Sequence, residues 1–585
     1  MSEPIERSLS HRAGRRVSRR GLLRAVVGGG VALSVGSLLT ACGGSSDATP
    51  TSSSQGGAPT SAASATSSTG TGAGTPAAGG GAAEAGGELI YGLTNRFDTL
   101  DPNVTTFTDV GRIAIHIFDP LVWQPSAGEF VPGLAEKWEV ATTADEYTFH
   151  LRSGVKFHDG TDFNAEAVKF TWDRIVDPEL KSQTAFSLIG PYDSSEVVDP
   201  LTVTAKFKTA FAPFLDSCSG PNLAPVSPAA VQQYGPDFGT HPVGTGPFKF
   251  ESYETDNQVR LVRNPDYNWG PSFLNEGPAL LDAITWRIIP EPATRVAALK
   301  SGEVLFIQDV PTQDVESLKG DSSLTVLEAP SAGSGESMMI NVTREPTNDV
   351  RVRQALQWGV DKQGMNQAVW RGLYQPTNSP LSANMFGYDP ATEDMYSYDP
   401  EKAGALLDEA GWTLDGDVRK KDGQELVLGL YYRSDNADSV AMATFLQAMY
   451  AAIGVKVELN GLAQAGYFNA VRAGEHHLQF WWESATDPDV LRILFHSSNA
   501  DGGTNRNRYK DAEMDQLLDQ AAGSTDPEVR KQLYAQIQKK ALDEAIMVFF
   551  ANVVNFYAYQ KGKVEGVYLD WSGNFPLFHG ARVTA

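Results

Sequence analysis

Two cysteines in 585 residues leave no disulfide framework to hold a fold together. Basic charge is scarce too. With 47 Lys and Arg against 71 Asp and Glu, the formal net charge is −24, which excludes a protein that grips nucleic acid through its phosphates. No apolar run has the length and purity of a set of membrane spans. Reaction-centre motifs are missing as well. There is no Gly-x-x-x-x-Gly-Lys-Ser/Thr loop, no Gly-x-Ser-x-Gly elbow and no His-Glu-x-x-His. Gly244-Thr-Gly246 runs into Pro247 and reads as a turn, and His158-Asp159-Gly160 reads as a capped turn. His476 and His477 are adjacent, so they cannot chelate as an i, i+4 pair would; a loop or exposed strand end is expected there. No catalytic residue, metal site or cofactor is expected. A core is not lacking: 41% of residues are hydrophobic and 10% aromatic, a load that disordered chains do not carry.

The N-terminus is the one basic region. Seven arginines precede residue 42, against Glu3 and Glu6. Ser18-Arg19-Arg20-Gly21-Leu22-Leu23 resembles a twin-arginine export signal, and Ala25 to Ala41 supplies a short apolar stretch. Leu39-Thr40-Ala41-Cys42 resembles a lipobox, which implies a diacylglycerol thioether on Cys42. Residues 43–87 are Gly, Ser, Thr, Ala and Pro except for Asp47, Gln55 and Glu84, and cannot build a core. As a flexible coil that tether spans roughly 35–40 Å. The expected order is a signal peptide at 1–41, a linker at 42–87 and a folded body from Glu88. Within that body Cys218 has no cysteine partner and is expected to be a small buried residue.

The body alternates strands and helices. Glu88–Leu93 reads as a strand, and 137–140 with 147–151 as a hairpin. Asn164 reads as an N-cap. Asp399-Pro400-Glu401 and Asp526-Pro527-Glu528 place a cap and then proline at the first helical position. Strands at 426–432 and 455–459 flank a helix as a βαβ-like unit. The fold class is α/β, with no internal repeat.

Pro132-Gly-Leu-Ala-Glu-Lys-Trp138, Tyr147-Thr-Phe-His-Leu-Arg-Ser-Gly-Val-Lys-Phe-His-Asp-Gly160 and Pro242-Val-Gly-Thr-Gly-Pro-Phe248 resemble the family 5 extracellular solute-binding proteins of ABC importers. So do Arg263-Asn-Pro-Asp-Tyr267, Asn348-Asp-Val-Arg-Val-Arg-Gln-Ala-Leu356 and Asp487-Pro-Asp489. Order and spacing hold from about residue 88 to the end. Leu305 stands where the family usually has Asp, and Ala167 where it has an acid. The resemblance implies a type II periplasmic-binding-protein fold, two lobes with a hinge plus an extra inserted domain. Lobe I is expected from 88–119, 241–332 and 546–585, the inserted domain from 120–240, and lobe II from 333–545.

The resemblance also implies where a ligand sits. Arg433 follows a strand at the place where dipeptide binders hold the ligand carboxylate, a task that suits a guanidinium fork. Dipeptide binders place an Asp against the ligand amine in the loop before Asp487; that position here is Ser484, with Glu483 adjacent as a substitute. Trp481 and Trp482 are expected as cleft walls, and Tyr91, Phe97 and Asn341 at strand ends bordering the cleft. The expected function is a lipid-anchored receptor, monomeric, on the outer face of the cytoplasmic membrane. It would capture a di- or oligopeptide and pass it to ABC permease subunits. The alternatives are a non-peptide ligand (nickel chelate, oligosaccharide, opine) or a secreted hydrolase or chaperone on the same scaffold.

Overall fold

A computed structural model describes residues 86–97, 99–275 and 277–584; the signal segment, Cys42 and the tether lie outside them. Glu88–Leu93 is a strand near the middle of a seven-stranded sheet. It runs parallel to Ala283–Ile288 on one side, pairing Tyr91 with Trp286, and to Phe306–Ile307 on the other. Leu89, Tyr91 and Leu93 alternate onto one face of the strand and are all fully buried in the first core.

The second sheet has six strands, in the order Gln375–Pro376, Met547–Asn552, Gly333–Ile340, Leu478–Ser484, Val427–Arg433, Lys456–Leu462. Its last two strands are parallel and joined by the helix Ala437–Ala452, as the βαβ-like spacing predicts. Leu428, Leu430, Leu446 and Tyr450 pack on one face, and Leu491, Tyr534 and Phe549 on the other. A third, antiparallel sheet of four strands lies within residues 120–240 and has its own core around Trp172 and Phe214. Cys218 sits in that core at 2% exposure, and burial pushes its thiol pKa upward.

The helix starts follow their side chains. Asn164 accepts from the Ala167 amide at 3.1 Å, Asp399 from Lys402, and Asp526 from Glu528 and Val529, the last two with proline at the first helical position. His158-Asp159-Gly160 is the capped turn that was expected: Asp159 accepts from the Thr161 amide and hydroxyl, and Gly160 has φ +88°. His476 and His477 lie in the loop before the strand Leu478–Ser484, as expected; His476 is fully buried there, its ring bonded to the Arg506 carbonyl.

The chain crosses from the seven-stranded to the six-stranded sheet after Pro330 and returns between Asn552 and Val554. The crossings lie side by side, the Ser331 amide donating to the Val553 carbonyl at 2.9 Å. Here the expected boundary at 546 is corrected. Met547–Asn552 pairs with Gly333–Ile340, and all six of its residues are buried, as a strand covered on both faces requires.

Candidate ligand-binding cleft

Where the six-stranded sheet faces the 120–240 segment and the helix Thr108–Ala114, a cavity of about 1500 Å³ opens. The first wall is the start of the helix Thr108–Ala114 with the loop Asp570–Leu577. The second is formed by residues 183–191 and 209–222. The third comes from the six-stranded sheet and the helices beside it: Glu336, Arg433, the start of the helix Ala437–Ala452, Tyr467 and Phe468 of the helix Gln464–Ala473, and the strand end and loop Phe480–Asp487.

Several bonds bridge these walls. Thr486 Oγ1 donates to Asp216 Oδ2 at 2.6 Å, and Asn574 Nδ2 donates to Ser484 Oγ at 2.9 Å. The Trp571 indole N–H donates to Gln124 Oε1 at 3.1 Å. Asp216 is 8% exposed, and burial, with Asp487 nearby, raises its pKa. Asp487 itself accepts two bonds from Arg530 Nη2, at 2.8 and 2.9 Å.

The cavity gathers Arg433, Trp481, Trp482, Glu483, Ser484 and Asp487. Arg433 ends its strand and is held by Asp435, with Nε to Oδ1 at 3.0 Å, leaving the guanidinium beside the cleft. The two tryptophans divide by strand alternation. Trp481 is half-buried, with the guanidinium of Arg506 over its ring at 5.0 Å; Trp482 is 48% exposed. Burial pushes the Glu483 carboxyl up to about 7, partly offset by the Trp481 indole and the charge of Arg506. Ser484 is engaged with Asn574, and Asp487 with Arg530, so neither is free as it stands.

Tyr91, Phe97 and Asn341 are corrected: none lines the cavity. Tyr91 points into the first core, and its hydroxyl donates to Gln308 at 2.7 Å. Phe97 stacks on Tyr253 at 5.4 Å between ring centres. Asn341, 1% exposed, donates to the His476 carbonyl at 3.2 Å and pins the turn after its strand. Tyr91 lies inside the strand Glu88–Leu93, Phe97 in the loop after it and Asn341 just past the strand Gly333–Ile340, and no neighbour of theirs lines the cavity either.

Sequence reasoning missed Glu336, Asp438, Asp216 and Asn574. Glu336 is the informative one. Its strand is bulged: register shifts occur between Ser334 and Ser337 against one neighbour and between Glu336 and Ser337 against the other. Gly333 has φ +135°, and a Cβ there would collide with the Glu483 carbonyl; one at Gly335 would collide with the Ala551 carbonyl. A bulge re-aims the side chain it carries, and this one turns Glu336 toward the cavity. The run Gly333-Ser-Gly-Glu336 inside an apolar strand is the signal that marked it. Burial, then Asp438, pushes the Glu336 carboxyl up to about 8.

Among the described residues no group of three or more His, Cys, Asp or Glu side chains is placed to hold a metal ion, and no helix is long and apolar enough to cross a membrane.

Residues 129–505 match the bacterial extracellular solute-binding proteins, family 5 (middle region). The chain is 30% identical over 491 residues to the dipeptide-binding protein of Escherichia coli, covering 80% of this chain and 89% of that one. It is 31% identical over 471 residues to the glutathione-binding protein GsiB of Salmonella typhimurium, covering 78% and 87%. Among solved structures, NikA from Brucella suis in complex with Fe(III)-EDTA is similar with a TM-score of 0.74 at 26% identity, covering 85% of this chain and all of that one. AgaA of A. tumefaciens in complex with agropinic acid is similar with a TM-score of 0.71 at 26% identity, over 85% and 99%. The shared architecture is the type II periplasmic-binding-protein fold.

Proposed function

The chain belongs to the family 5 bacterial extracellular solute-binding proteins, and from that premise we propose that it captures a di- or oligopeptide in the cleft and delivers it to the permease of an ABC importer. As a member of this family it is a transport binding protein and not an enzyme. The observation that carries the reading is the cavity itself. It is about 1500 Å³, bounded by the helix Thr108–Ala114 with the loop Asp570–Leu577, by the 120–240 segment and by the six-stranded sheet, and lined by aromatic rings and charged groups.

The two adjacent crossings at Ser331 and Val553 are the proposed hinge. Closure about them favours the form a permease recognises only if the ligand binds that form more tightly. The cross-cleft bonds of Thr486 and Asn574 supply part of that preference. The partition into two lobes and an inserted domain at 120–240 belongs to the same proposal, with the second crossing moved to Val553. So does a monomer tethered through lipid at Cys42 to the outer face of the cytoplasmic membrane, after export by the twin-arginine route. Arg433 would take a ligand carboxylate, while Trp481 and Trp482 would stack on its apolar parts.

A non-peptide solute is the second reading. It is favoured by Ser484, which stands where dipeptide binders hold an acid for the ligand amine and is occupied by Asn574. Mass spectrometry of solute released from natively purified protein, followed by calorimetry with that solute, tests both. A peptide that rebinds one to one supports the first reading, and a chelate, sugar or opine the second. A protein that carries nothing and binds no member of a peptide library counts against the proposal.

A further inference from the structure

The lobe II wall of the cleft holds carboxyl groups that make no ion pair. Glu336, Asp438 and Glu483 all line the cavity, and none makes an ion pair with a described residue. The two cations on the same lining are committed elsewhere: Arg433 is bound to Asp435, and Arg492 to Asp489 and Asp519. Asp216 adds a fourth carboxyl at 8% exposure, with Oδ1 lacking any hydrogen-bond partner. Three rings on the same lining stand bare. Phe107 is 42%, Phe186 53% and Trp482 48% exposed; they come from three separate segments and line the same cavity. Single exposed rings are ordinary, but several gathered in one cavity mark a ligand-binding groove.

Resting on the reading of this cleft as the ligand site, we propose that its ligand carries a cationic group, an ammonium or guanidinium, seated on Glu336 and Asp438, and an apolar portion covered by Phe107, Phe186 and Trp482. The Gly333–Ser337 bulge is what aims Glu336 at the cleft, and the helix starting at Ala437 brings Asp438 beside it. Around the pair stand Tyr374 and Tyr467, both of which feel the Glu336 charge. The resting cleft holds Glu336 largely protonated near neutrality. An arriving cation re-ionises it, so binding expels a proton.

The test compares the N-acetylated peptides acetyl-Phe-Lys-Phe and acetyl-Phe-norleucine-Phe, which match in length and closely in apolar area, lack an N-terminal ammonium and differ by one charge. Calorimetry at pH 7 in two buffers of different ionisation enthalpy reads affinity and proton release together. The expected result is at least about tenfold tighter binding of the lysine peptide, with proton release that the norleucine peptide lacks. Glu336→Gln and Asp438→Asn should each bring the ratio of the two affinities close to one and abolish the proton release. Equal affinity for the two peptides in the wild type overturns the proposal and leaves peptide capture standing. If neither peptide binds, peptide capture is what fails, and the solute released from native protein then decides. A cationic solute whose affinity falls in Glu336→Gln supports the acidic subsite; a neutral or anionic one overturns it.

Discussion

Replacing Glu336 by Gln should make the ligand-free protein more stable, the opposite of what removing a structural residue does. The Glu336 carboxyl is pushed from 4.5 to about 8, first by burial and then by Asp438. Below pH 4.5 it is neutral in both the folded and unfolded chain and has no effect. As pH rises, the unfolded chain ionises and the folded one resists, so stability is lost progressively up to about pH 8 and then levels off. At about 1.4 kcal/mol per pH unit the full loss has a ceiling of about 5 kcal/mol. The side chain is partly reachable by cleft water, which reduces this to about 1–3 kcal/mol. Urea unfolding of wild type and Glu336→Gln at intervals from pH 4 to 9 measures it. The two midpoints should coincide at pH 4, part between pH 5 and 8 with the variant higher, and keep a constant gap above that. A variant less stable than wild type at pH 8, or a gap that does not grow with pH, would refute the reasoning.

Other outcomes follow from the same geometry. Arg530→Met strips Asp487 of its buried partner beside Asp489 and Asp216, and should cost about 3–5 kcal/mol in urea unfolding; Asp487→Asn in the same background should recover part of it. Thr486→Val leaves Asp216 Oδ2 without its donor across the cleft, and should weaken ligand binding while costing about 1–3 kcal/mol of stability, read by calorimetry and denaturation. Trp482→Ala should change stability by less than about 1 kcal/mol, because the ring is 48% exposed, yet lower ligand affinity at least about tenfold. Asn164→Ala should cost about 1 kcal/mol through the lost cap, with no effect on binding.

Much of the scaffold was legible because its signals are local. Asp399-Pro400 and Asp526-Pro527 announce helix starts through their own side chains, and both do cap helices. The parallel pair at 427–433 and 456–462 follows from two short apolar runs and the helix between them. The cleft was legible only in part. Residues 480–487 and Arg433 stand out by composition and by their position at strand ends. Whether a strand-end side chain faces cleft or core depends on parity, and one residue of slippage reverses it. The bulge hid Glu336 in this way, whereas the stretches around Tyr91 and Asn341 lie off the cavity altogether. Asp216 meets Thr486 across 270 residues of chain, a contact for which neither local sequence carries a mark. The second crossing was misjudged for a similar reason: Met547–Asn552 and Val554–Gln560 are consecutive apolar strands, and nothing in either says which sheet it joins.

Small-angle X-ray scattering tests the central claim most directly, using protein stripped of solute and then reloaded with the solute recovered from it. Capture between lobes that close about Ser331 and Val553 predicts a saturable fall in radius of gyration on loading, reversed on stripping, with the solute mass unchanged. A radius of gyration that does not respond to loading, or a solute recovered chemically altered, would contradict it.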